Sequence, residues 1–316
     1  KSEFPSDEQM VGLRIDWDLH GAASTIATLS EAAGFGAITW ASVAPIRITT
    51  QPVIDVSHTA SYNLHTGIQR VVRETTRRWA ANHDLTLAVL DRVAPVWRPL
   101  TKIEEDRVLR WGIQPIPSED LETPREIVIP WNTCLVLPEL AGLPSQAESL
   151  TAMGKWSNSD FANIFYDMIP FSMSEACATG MHRAFAQYVT AVRGADRVST
   201  ISESVAEDLR GFLVAVHNQG LNPPEVRSHL LPAHADEISQ EVVERNRPAI
   251  ATVPGIPVVL SVSSIEPRKN HTMILVAAEK LWREGHPFQL VFIAGSGWKR
   301  ELFDEQLQNA RDRGRP

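Results

Sequence analysis

The segment from Pro257 to Trp298 constrains the fold of this chain more than any other. Its pattern predicts an apolar strand over residues 258–262, a loop over 263–270, a helix over 271–284 and a second apolar strand over 288–294. Two strands that are joined by a helix form a β-α-β unit, because parallel strands need a crossover connection. The segment therefore predicts an α/β protein with a parallel sheet, and a buried strand that leads into the loop.

Two adjacent cations, Arg268 and Lys269, stand in that loop directly before the helix. The planar arginine fork can bind two phosphate oxygens, and the lysine adds a mobile point charge. The helix start supplies free backbone N–H groups and a partial positive charge at the same place. The pattern favours a phosphate-binding loop. The alternative is an exposed turn, although cations at a helix start are electrostatically unfavourable.

Length, composition and charge limit the classes of protein that fit. The 316 residues suffice for two domains, and 43% hydrophobic with 22% charged residues indicates a folded globular protein. The net charge of -8 argues against a nucleic-acid partner. Cys134 and Cys177 are the only cysteines, which favours a reducing compartment without disulfides. No signal peptide or membrane-spanning run is evident, so we expect a cytoplasmic protein.

The order of apolar runs predicts two domains. Residues 1–50 are interpreted as an N-terminal extension or linker with one helix, 51–245 as a first domain and 246–316 as the start of a second. A polar, proline-rich stretch marks the boundary between the domains. Because two strands cannot close a stable sheet, we expect the second domain to be incomplete and the chain to be a fragment. In the first domain, strands are predicted over 52–56, 85–90, 127–130, 162–166, 197–201 and 226–231, and helices over 66–81, 182–192 and 202–216.

A glycine opens the first predicted helix of that domain, in the string Thr66-Gly67-Ile68-Gln69-Arg70. Glycine lets a ligand approach the backbone, and a helix start favours an anion or a hydroxyl-rich group. The alternative is a plain N-cap at Thr66 with a packing glycine. His58 and His65 flank this loop and are interpreted as solvated side chains.

Other candidate residues follow predicted strands. Tyr166 and Asp167 lie at a strand end, where an acidic side chain faces a ligand crevice or caps a helix. Ser202 caps the next helix or contacts a ligand. Gly295 and Gly297 either allow backbone approach by a ligand or form a turn. No pattern of side chains predicts a metal site, and the acidic run at residues 104–106 is interpreted as a solvated helix face.

Taken in order, these motifs resemble family-4 glycosyltransferases with the GT-B architecture, in particular bacterial mannosyl- and rhamnosyltransferases of surface polysaccharide (O-antigen) synthesis. The resemblance covers roughly residues 52 to 300. The strings that carry it are Ile54-Asp55-Val56-Ser57, Thr66 to Glu74, Phe165 to Pro170, Val198 to Ser202, Leu231 to Asp236, and Ser263 to His271 with Ala294 to Trp298.

The resemblance implies two Rossmann-like, doubly wound domains, with the acceptor mainly on the first and a nucleotide sugar on the second. It implies transfer of a hexose with retention, without a metal or cofactor, to a glycan or lipid-linked glycan. Peripheral association with the inner face of the plasma membrane and oligomerisation are left open. By the same resemblance, Arg268, Lys269 and Asp167 are catalytic, Gly67, Asn270, Gly295, Gly297 and Ser202 bind the donor, and Thr66, Arg70 and Tyr166 lie on the acceptor side.

Two departures from the family pattern affect this interpretation. His234 stands where the family commonly has glycine. The acidic motif that would bind the donor sugar and ribose would follow Pro316, so we expect part of the donor site to be missing. The alternatives are a nucleotide-sugar epimerase and a non-catalytic binding or scaffold domain with the same fold.

Overall fold

The computed structural model describes residues 6–21, 24–25, 44–92, 96–112, 123–141, 144–218, 220, 222–233, 237–246, 253–295 and 297–316. Contacts divide the chain into two compact units. The first is Lys1–Met168 with Arg183–Leu231, and the second is Ile169–His182 with Pro232–Pro316. His234 and Ser296 lie outside the described residues. The domain limits drawn from the sequence stay a prediction.

The secondary structure alternates between strands and helices. In chain order the elements are α1 (Asp7–His20), β1 (Ile46–Thr49), β2 (Val53–Asp55), α2 (Ser57–Ser61), α3 (Gly67–Asn82), β3 (Thr86–Leu90), β4 (Trp97–Pro99), α4 (Lys102–Leu109), β5 (Ile127–Pro130), β6 (Cys134–Leu137), α5 (Pro144–Trp156), β7 (Asp160–Phe165), α6 (Ile169–Ser172), α7 (Met181–Arg193), β8 (Arg197–Thr200), α8 (Glu203–His217), β9 (Glu225–Ser228), α9 (Gln240–Asn246), β10 (Val258–Val262), α10 (His271–Arg283), β11 (Gln289–Ile293) and α11 (Glu301–Asp312).

The first unit is built on a sheet with the strand order β4-β3-β2-β6-β7-β8-β9 among the described residues. Its neighbours are parallel except for β4, which runs antiparallel to β3 at the edge. Val53 of β2 pairs with Thr86 of β3 and with Leu135 of β6. Because β3 and β6 lie on opposite sides of β2, the chain order reverses between β2 and β6. In doubly wound sheets such a switch point is where ligands bind.

Both faces of this sheet are covered, as the sequence predicted. Val53 packs in one buried cluster with residues of α5, α7 and α8, and Ile54 packs in another with residues of α3 and α4. Successive strand residues point to opposite faces, so adjacent apolar residues can bury on both sides. The predicted α/β class is confirmed, and the parallel sheets are consistent with a GT-B-like fold.

The N-terminal part of the chain is more structured than the sequence indicated. Helix α1 begins with a capping box at Ser6, and the carboxylate of Asp7 accepts hydrogen bonds from Lys155 Nζ and Trp156 Nε1 of α5. Strand β1 pairs in parallel with β5, with Ile46 opposite Ile127. Strand β1 was not predicted, because its four residues are too few to show a strand period.

The acidic run on α4 is also buried rather than solvated. Glu104 is 9% exposed and Asp106 is 2% exposed. Both oxygens of Glu104 accept from Arg98 at 2.7 and 2.8 Å, and Asp106 pairs with Lys102 and Arg110. Buried carboxylates need such partners, which the sequence run alone did not reveal.

The second unit contains the parallel pair β10 and β11, with Val258 opposite Gln289 and helix α10 as the connection. Ile265, Leu275 of α10 and Phe303 of α11 form its buried cluster, against which Leu290 and Phe292 of β11 pack. The β-α-β prediction is confirmed. The expectation of a buried β10 was wrong among the described residues, because this cluster contacts β11 and leaves β10 largely exposed.

Candidate functional site

Two buried carboxylates lie at the switch point of the first unit. Asp55 ends β2 and Glu139 follows β6, and neither is measurably exposed. Asp55 Oδ2 accepts hydrogen bonds from Trp97 Nε1 at 3.0 Å and from Gln146 Nε2 at 2.7 Å. Its Oδ1 accepts from the backbone and hydroxyl of Ser57. Asp55 therefore ties β2 to β4, α5 and the start of α2.

Glu139 holds the first turn of α2. Its carboxyl oxygens accept from the backbone N–H groups of His58 and Thr59, and from the Thr59 hydroxyl at 2.6 Å. Burial raises the pKa of Glu139 to about 8, although the hydrogen bonds from Thr59 and His58 act in the opposite direction. Burial, followed by the charge of Arg92, lowers the pKa of His58. The two carboxylates thus fix the segment that leads to α3.

The start of α3 is a capping box. The Thr66 hydroxyl accepts from the Gln69 backbone at 3.4 Å, and the Gln69 side chain accepts from the Thr66 backbone at 3.1 Å. Gly67 and Arg70 are exposed. A Cβ at Gly67 would meet nothing within 4 Å, so the protein's own packing does not require glycine there. The capping alternative for Thr66 is confirmed, and the backbone at Gly67 is accessible.

His65 is more constrained than a solvated loop histidine. Its Nδ1 lies 2.9 Å from Nη1 of Arg73, and its ring is parallel to that of Trp111 within 4°. The Arg73 guanidinium lies 3.9 Å from the Trp111 ring centroid and donates from Nε to the Arg107 carbonyl at 2.7 Å. Burial lowers the pKa of His65, with further contributions from Arg73 and Arg70. The sequence pointed to none of these contacts, because Trp111 lies far along the chain.

Three predicted residues at later strand ends differ in accessibility. Tyr166 is 5% exposed, and its hydroxyl donates to the Pro138 carbonyl at 2.6 Å. Burial raises the pKa of the Tyr166 phenol well above its usual range. Asp167 follows it and is half-buried. The Ser202 hydroxyl caps α8 by accepting from the Val205 backbone at 3.3 Å. Of the three, Asp167 is the acidic residue, and it is only partly buried.

In the second unit, Arg268 is held side-on by Glu266. Arg268 Nε and Nη2 donate to the two Glu266 oxygens at 2.8 and 2.9 Å. Glu266 is 3% exposed and also accepts from the Ser264 hydroxyl at 2.9 Å. A guanidinium has five N–H donors, so three remain for other acceptors. The Glu266 carboxylate therefore fixes the orientation of the Arg268 guanidinium and neutralises part of its charge.

Lys269 and Asn270 complete the loop. Both are exposed, and no hydrogen bond or ion pair of the Lys269 ammonium is found in the part of the chain that the structure describes. Asn270 adopts a left-handed conformation, with φ 55° and ψ 38°, directly before α10. Asparagine tolerates this conformation better than most residues. The left-handed residue lets a 3-10 turn at Pro267–Lys269 lead into α10.

His271 anchors the same loop from inside. It is 3% exposed, its Nε2 lies 2.9 Å from the Ser263 hydroxyl, and its ring packs against Phe292 and Phe303. Its Nδ1 has no hydrogen-bond partner among the described residues. Burial lowers the pKa of His271. This residue joins the end of β10 to the start of α10, and the sequence motif did not reveal that role.

The two glycines after β11 have different surroundings. A Cβ at Gly297 would overlap the carbonyl oxygen of Ile265, so this glycine is required by packing. A Cβ at Gly295 would meet nothing within 4 Å. Trp298, which follows, donates from Nε1 to the Ala176 carbonyl at 2.9 Å. Gly295 is thus exposed, and packing gives no reason for a glycine at that position.

The described residues contain neither a cluster of side chains that could hold a metal ion nor a helix with the length and apolarity to cross a membrane.

Comparison with known proteins finds relatives among glycosyltransferases. No family model matches the chain. The chain is similar to a mannosyltransferase. It is 26% identical over 274 residues to serotype-specific mannosyltransferase WbdA of Escherichia coli. These residues are 83% of this chain and 31% of the relative. A second protein of that name and organism is 27% identical over 183 residues, or 56% of this chain and 22% of the relative. The chain spans about a third of the length of the curated relatives that it matches over 274 residues.

The buried Glu139 carboxyl should make stability fall as pH rises. Its pKa is about 8 in the folded protein against 4.5 for the ordinary group, so between these values the folded state binds more protons than the unfolded state. The free energy of unfolding then decreases with pH, with a slope of up to about 1.4 kcal/mol per pH unit from this group. Glu139→Gln should remove this slope in denaturant titrations from pH 4.5 to 8, whereas Glu207→Gln on the exposed face of α8 should keep it. An unchanged slope in Glu139→Gln would contradict the assignment.

Alanine substitution of the two glycines after β11 should affect the free energy of unfolding to different extents. Gly297→Ala should lower the free energy of unfolding by about 1 to 3 kcal/mol, because the added Cβ forces the Ile265 carbonyl to move. Gly295→Ala should change it by less than about 0.5 kcal/mol, as for an open surface position. Chemical denaturation of both variants measures the contrast. Equal destabilisation of the two variants would contradict the conclusion that packing requires glycine at position 297 and not at position 295.

Proposed function

We propose that this chain belongs to a retaining glycosyltransferase of family 4 that transfers a hexose, with mannose as the leading candidate, from a nucleoside diphosphate sugar to a glycan of a bacterial surface polysaccharide. The observation that carries the proposal is the strand-loop-helix with Arg268 and Lys269, in a chain that is similar to mannosyltransferases. The similarity supports a glycosyltransferase. The sugar, the acceptor and the stereochemistry belong to the proposal.

In this mechanism the cationic loop stabilises the leaving group. As the bond between the sugar and the diphosphate breaks, negative charge builds on the diphosphate oxygens, and fixed donors there lower the barrier. Arg268 supplies oriented N–H donors, because Glu266 fixes its fork. Lys269 supplies charge that no described partner neutralises, at the start of α10. Asn270, next to Lys269 in the chain, and Gly295, which follows the strand β11 paired with β10, are both exposed.

The first unit supplies the acceptor-side groups. Thr66 and Arg70, which we assign to the acceptor, are exposed at the start of α3. Gly67, which we assign to the donor, leaves room for a ligand at the backbone. Asp167 is the partly buried acidic residue that we assign to contact with a sugar. The Tyr166 hydroxyl is bonded to Pro138, so Tyr166 supports Asp167 by packing rather than through its phenol. Ser202 retains its assignment on the donor side and also caps α8.

The chemistry proposed here needs neither a metal ion nor a cofactor, since the loop cations act on the diphosphate. A nucleotide-sugar epimerase would convert the donor without an acceptor, whereas the proposed transferase would not. Incubation of the intact protein with nucleoside diphosphate mannose, with and without a mannose-terminated glycan, separates the two activities. Failure of the intact protein to bind any of UDP, GDP and dTDP in calorimetry would overturn the proposal.

Lys269→Ala in the intact protein should lower turnover by about 10²- to 10³-fold, the usual effect of removing one preorganised donor from a transition state. The stability of the Lys269→Ala variant should equal that of wild type, because the Lys269 ammonium has no partner among the described residues. Arg268→Ala should lower turnover similarly, but should also destabilise the protein by leaving Glu266 buried without its cation. Lys280→Ala, at an exposed position of α10, is the matched control and should behave as wild type.

Steady-state kinetics and thermal unfolding of these three variants separate catalysis from folding. Turnover of Lys269→Ala within a few-fold of wild type would contradict the diphosphate assignment.

A further inference from the structure

The contact between His65 and Arg73 defines which ring nitrogen of His65 carries the proton. Nη1 of Arg73 lies 2.9 Å from Nδ1 of His65. A guanidinium only donates hydrogen bonds, so Nδ1 is the acceptor and the proton of the neutral ring is on Nε2. Because burial and the nearby arginines lower the pKa of His65, the ring stays neutral at pH 7. The exposed edge of His65 is thus an uncharged N–H donor.

The direction of this donor is fixed as well. The His65 ring is parallel to Trp111 within 4°, with 5.7 Å between ring centroids. The Arg73 guanidinium lies over Trp111 and is bonded to the Arg107 carbonyl. A donor that is already oriented loses little rotamer freedom when it binds a ligand. An exposed histidine that merely fills a loop would not need this support.

The arrangement leaves one donor of a buried cation without a partner in the part of the chain that the structure describes. Arg73 is 1% exposed, and its Nη2 has no hydrogen-bond partner among the described residues. A buried polar group without a partner destabilises the folded state. Burial lowers the pKa of Arg73 to about 10, so it remains a cation at neutral pH. A costly buried cation is therefore used to hold a neutral imidazole at the surface.

The surroundings of His65 suit a sugar hydroxyl. His65 lies in the connection that follows β2 at the switch point, directly before Thr66 and the exposed Gly67. The ring of Trp111, which is parallel to that of His65, supplies an aromatic surface beside it. Aromatic rings beside a few oriented polar groups are typical of sites for partly apolar ligands such as sugars. Of the three charged groups that act on the His65 ring, Arg73 and Arg70 are cations and Glu74 is an anion. Arg73 is buried, so the accessible charges beside the ring are those of Arg70 and Glu74, which have opposite signs.

We propose that His65 donates a hydrogen bond from Nε2 to a hydroxyl oxygen of the acceptor glycan. This inference rests on the proposed function and names a further binding residue on the acceptor side. Arg73 and Trp111 are positioning residues for it.

The first experiment observes the ring directly. In the intact protein with ¹⁵N-labelled histidine, His65 is assigned by comparison with the His65→Gln spectrum. We expect a protonated Nε2 and an unprotonated Nδ1 at pH 7.5. An α-linked oligomannoside should shift the Nε2 resonance, whereas GDP or UDP alone should not. A proton on Nδ1, or no response to the oligomannoside, would overturn the inference.

The second experiment uses two isosteric variants. His65→Gln places an amide N–H near the position of Nε2, whereas His65→Asn places its amide near Nδ1 and lacks the outer donor. We expect His65→Asn to weaken oligomannoside binding and to raise KM for the acceptor by about 5- to 10-fold, the loss of roughly one hydrogen bond. His65→Gln should stay within about 3-fold of wild type. His83→Asn, after the other end of α3, is the matched control and should have no effect.

Other outcomes separate this inference from the proposed function. A wild-type protein that binds no nucleoside diphosphate and transfers no sugar would remove the proposed function and the inference together. A wild type that transfers sugar, with both His65 variants equally active, would overturn the role of His65 alone. An increase of KM for the nucleotide sugar instead of the acceptor would also overturn it. Thermal unfolding of His65→Asn should match wild type, because its side-chain oxygen can replace Nδ1 as the acceptor for Arg73. His65→Gln lacks an acceptor at that position and should unfold at a lower temperature. A large loss of stability in His65→Asn with unchanged binding would assign His65 to folding instead.

Discussion

Two buried carboxylates, Asp55 and Glu139, fasten the first turn of α2 to the carboxyl ends of β2 and β6. Carboxylates removed from water need hydrogen-bond donors, and the donors come from α2, β4 and α5. The burial of the two groups therefore determines the path of the chain after β2. Since α3 follows this connection, the positions of His65, Thr66 and Gly67 depend on the same hydrogen bonds. In this segment, buried hydrogen bonds therefore determine where the exposed residues lie.

The loop before α10 is organised by the same principle in the second unit. Glu266 and His271 are buried, and they fix Arg268 and Ser263 from inside. Lys269, which follows Arg268, remains exposed. In both units a buried polar group holds a neighbour in one orientation, and an exposed donor stands beside it. Such preorganisation is what the stabilisation of a leaving diphosphate or the recognition of a hydroxyl requires.

Much of the secondary structure follows from local sequence. The apolar runs at 258–262 and 86–90 are strands, and the amphipathic pattern after Gly67 is a helix, because these periods arise from neighbouring residues. The capping box at Thr66 is readable from the glutamine three residues later. Strand β1 was not predicted, since its four residues are too few to show a period. The buried state of Glu104 and Asp106 was not predicted either, because Arg98, Lys102 and Arg110 reach them only after folding.

The sequence by itself determined the α/β class and the place of the two cations at a strand-to-helix junction, since both depend on residues adjacent in the chain. It also supplied the resemblance to glycosyltransferases, and the similarity to mannosyltransferases supports that broader class. The tertiary structure decided which donors and acceptors remain accessible. Thr59 meets Glu139 across 80 positions, and Gln146 meets Asp55 across 91. The tautomer of His65 likewise depends on a buried arginine two turns along α3. These are contacts that no local pattern encodes, because they form only when the sheet and its helices pack.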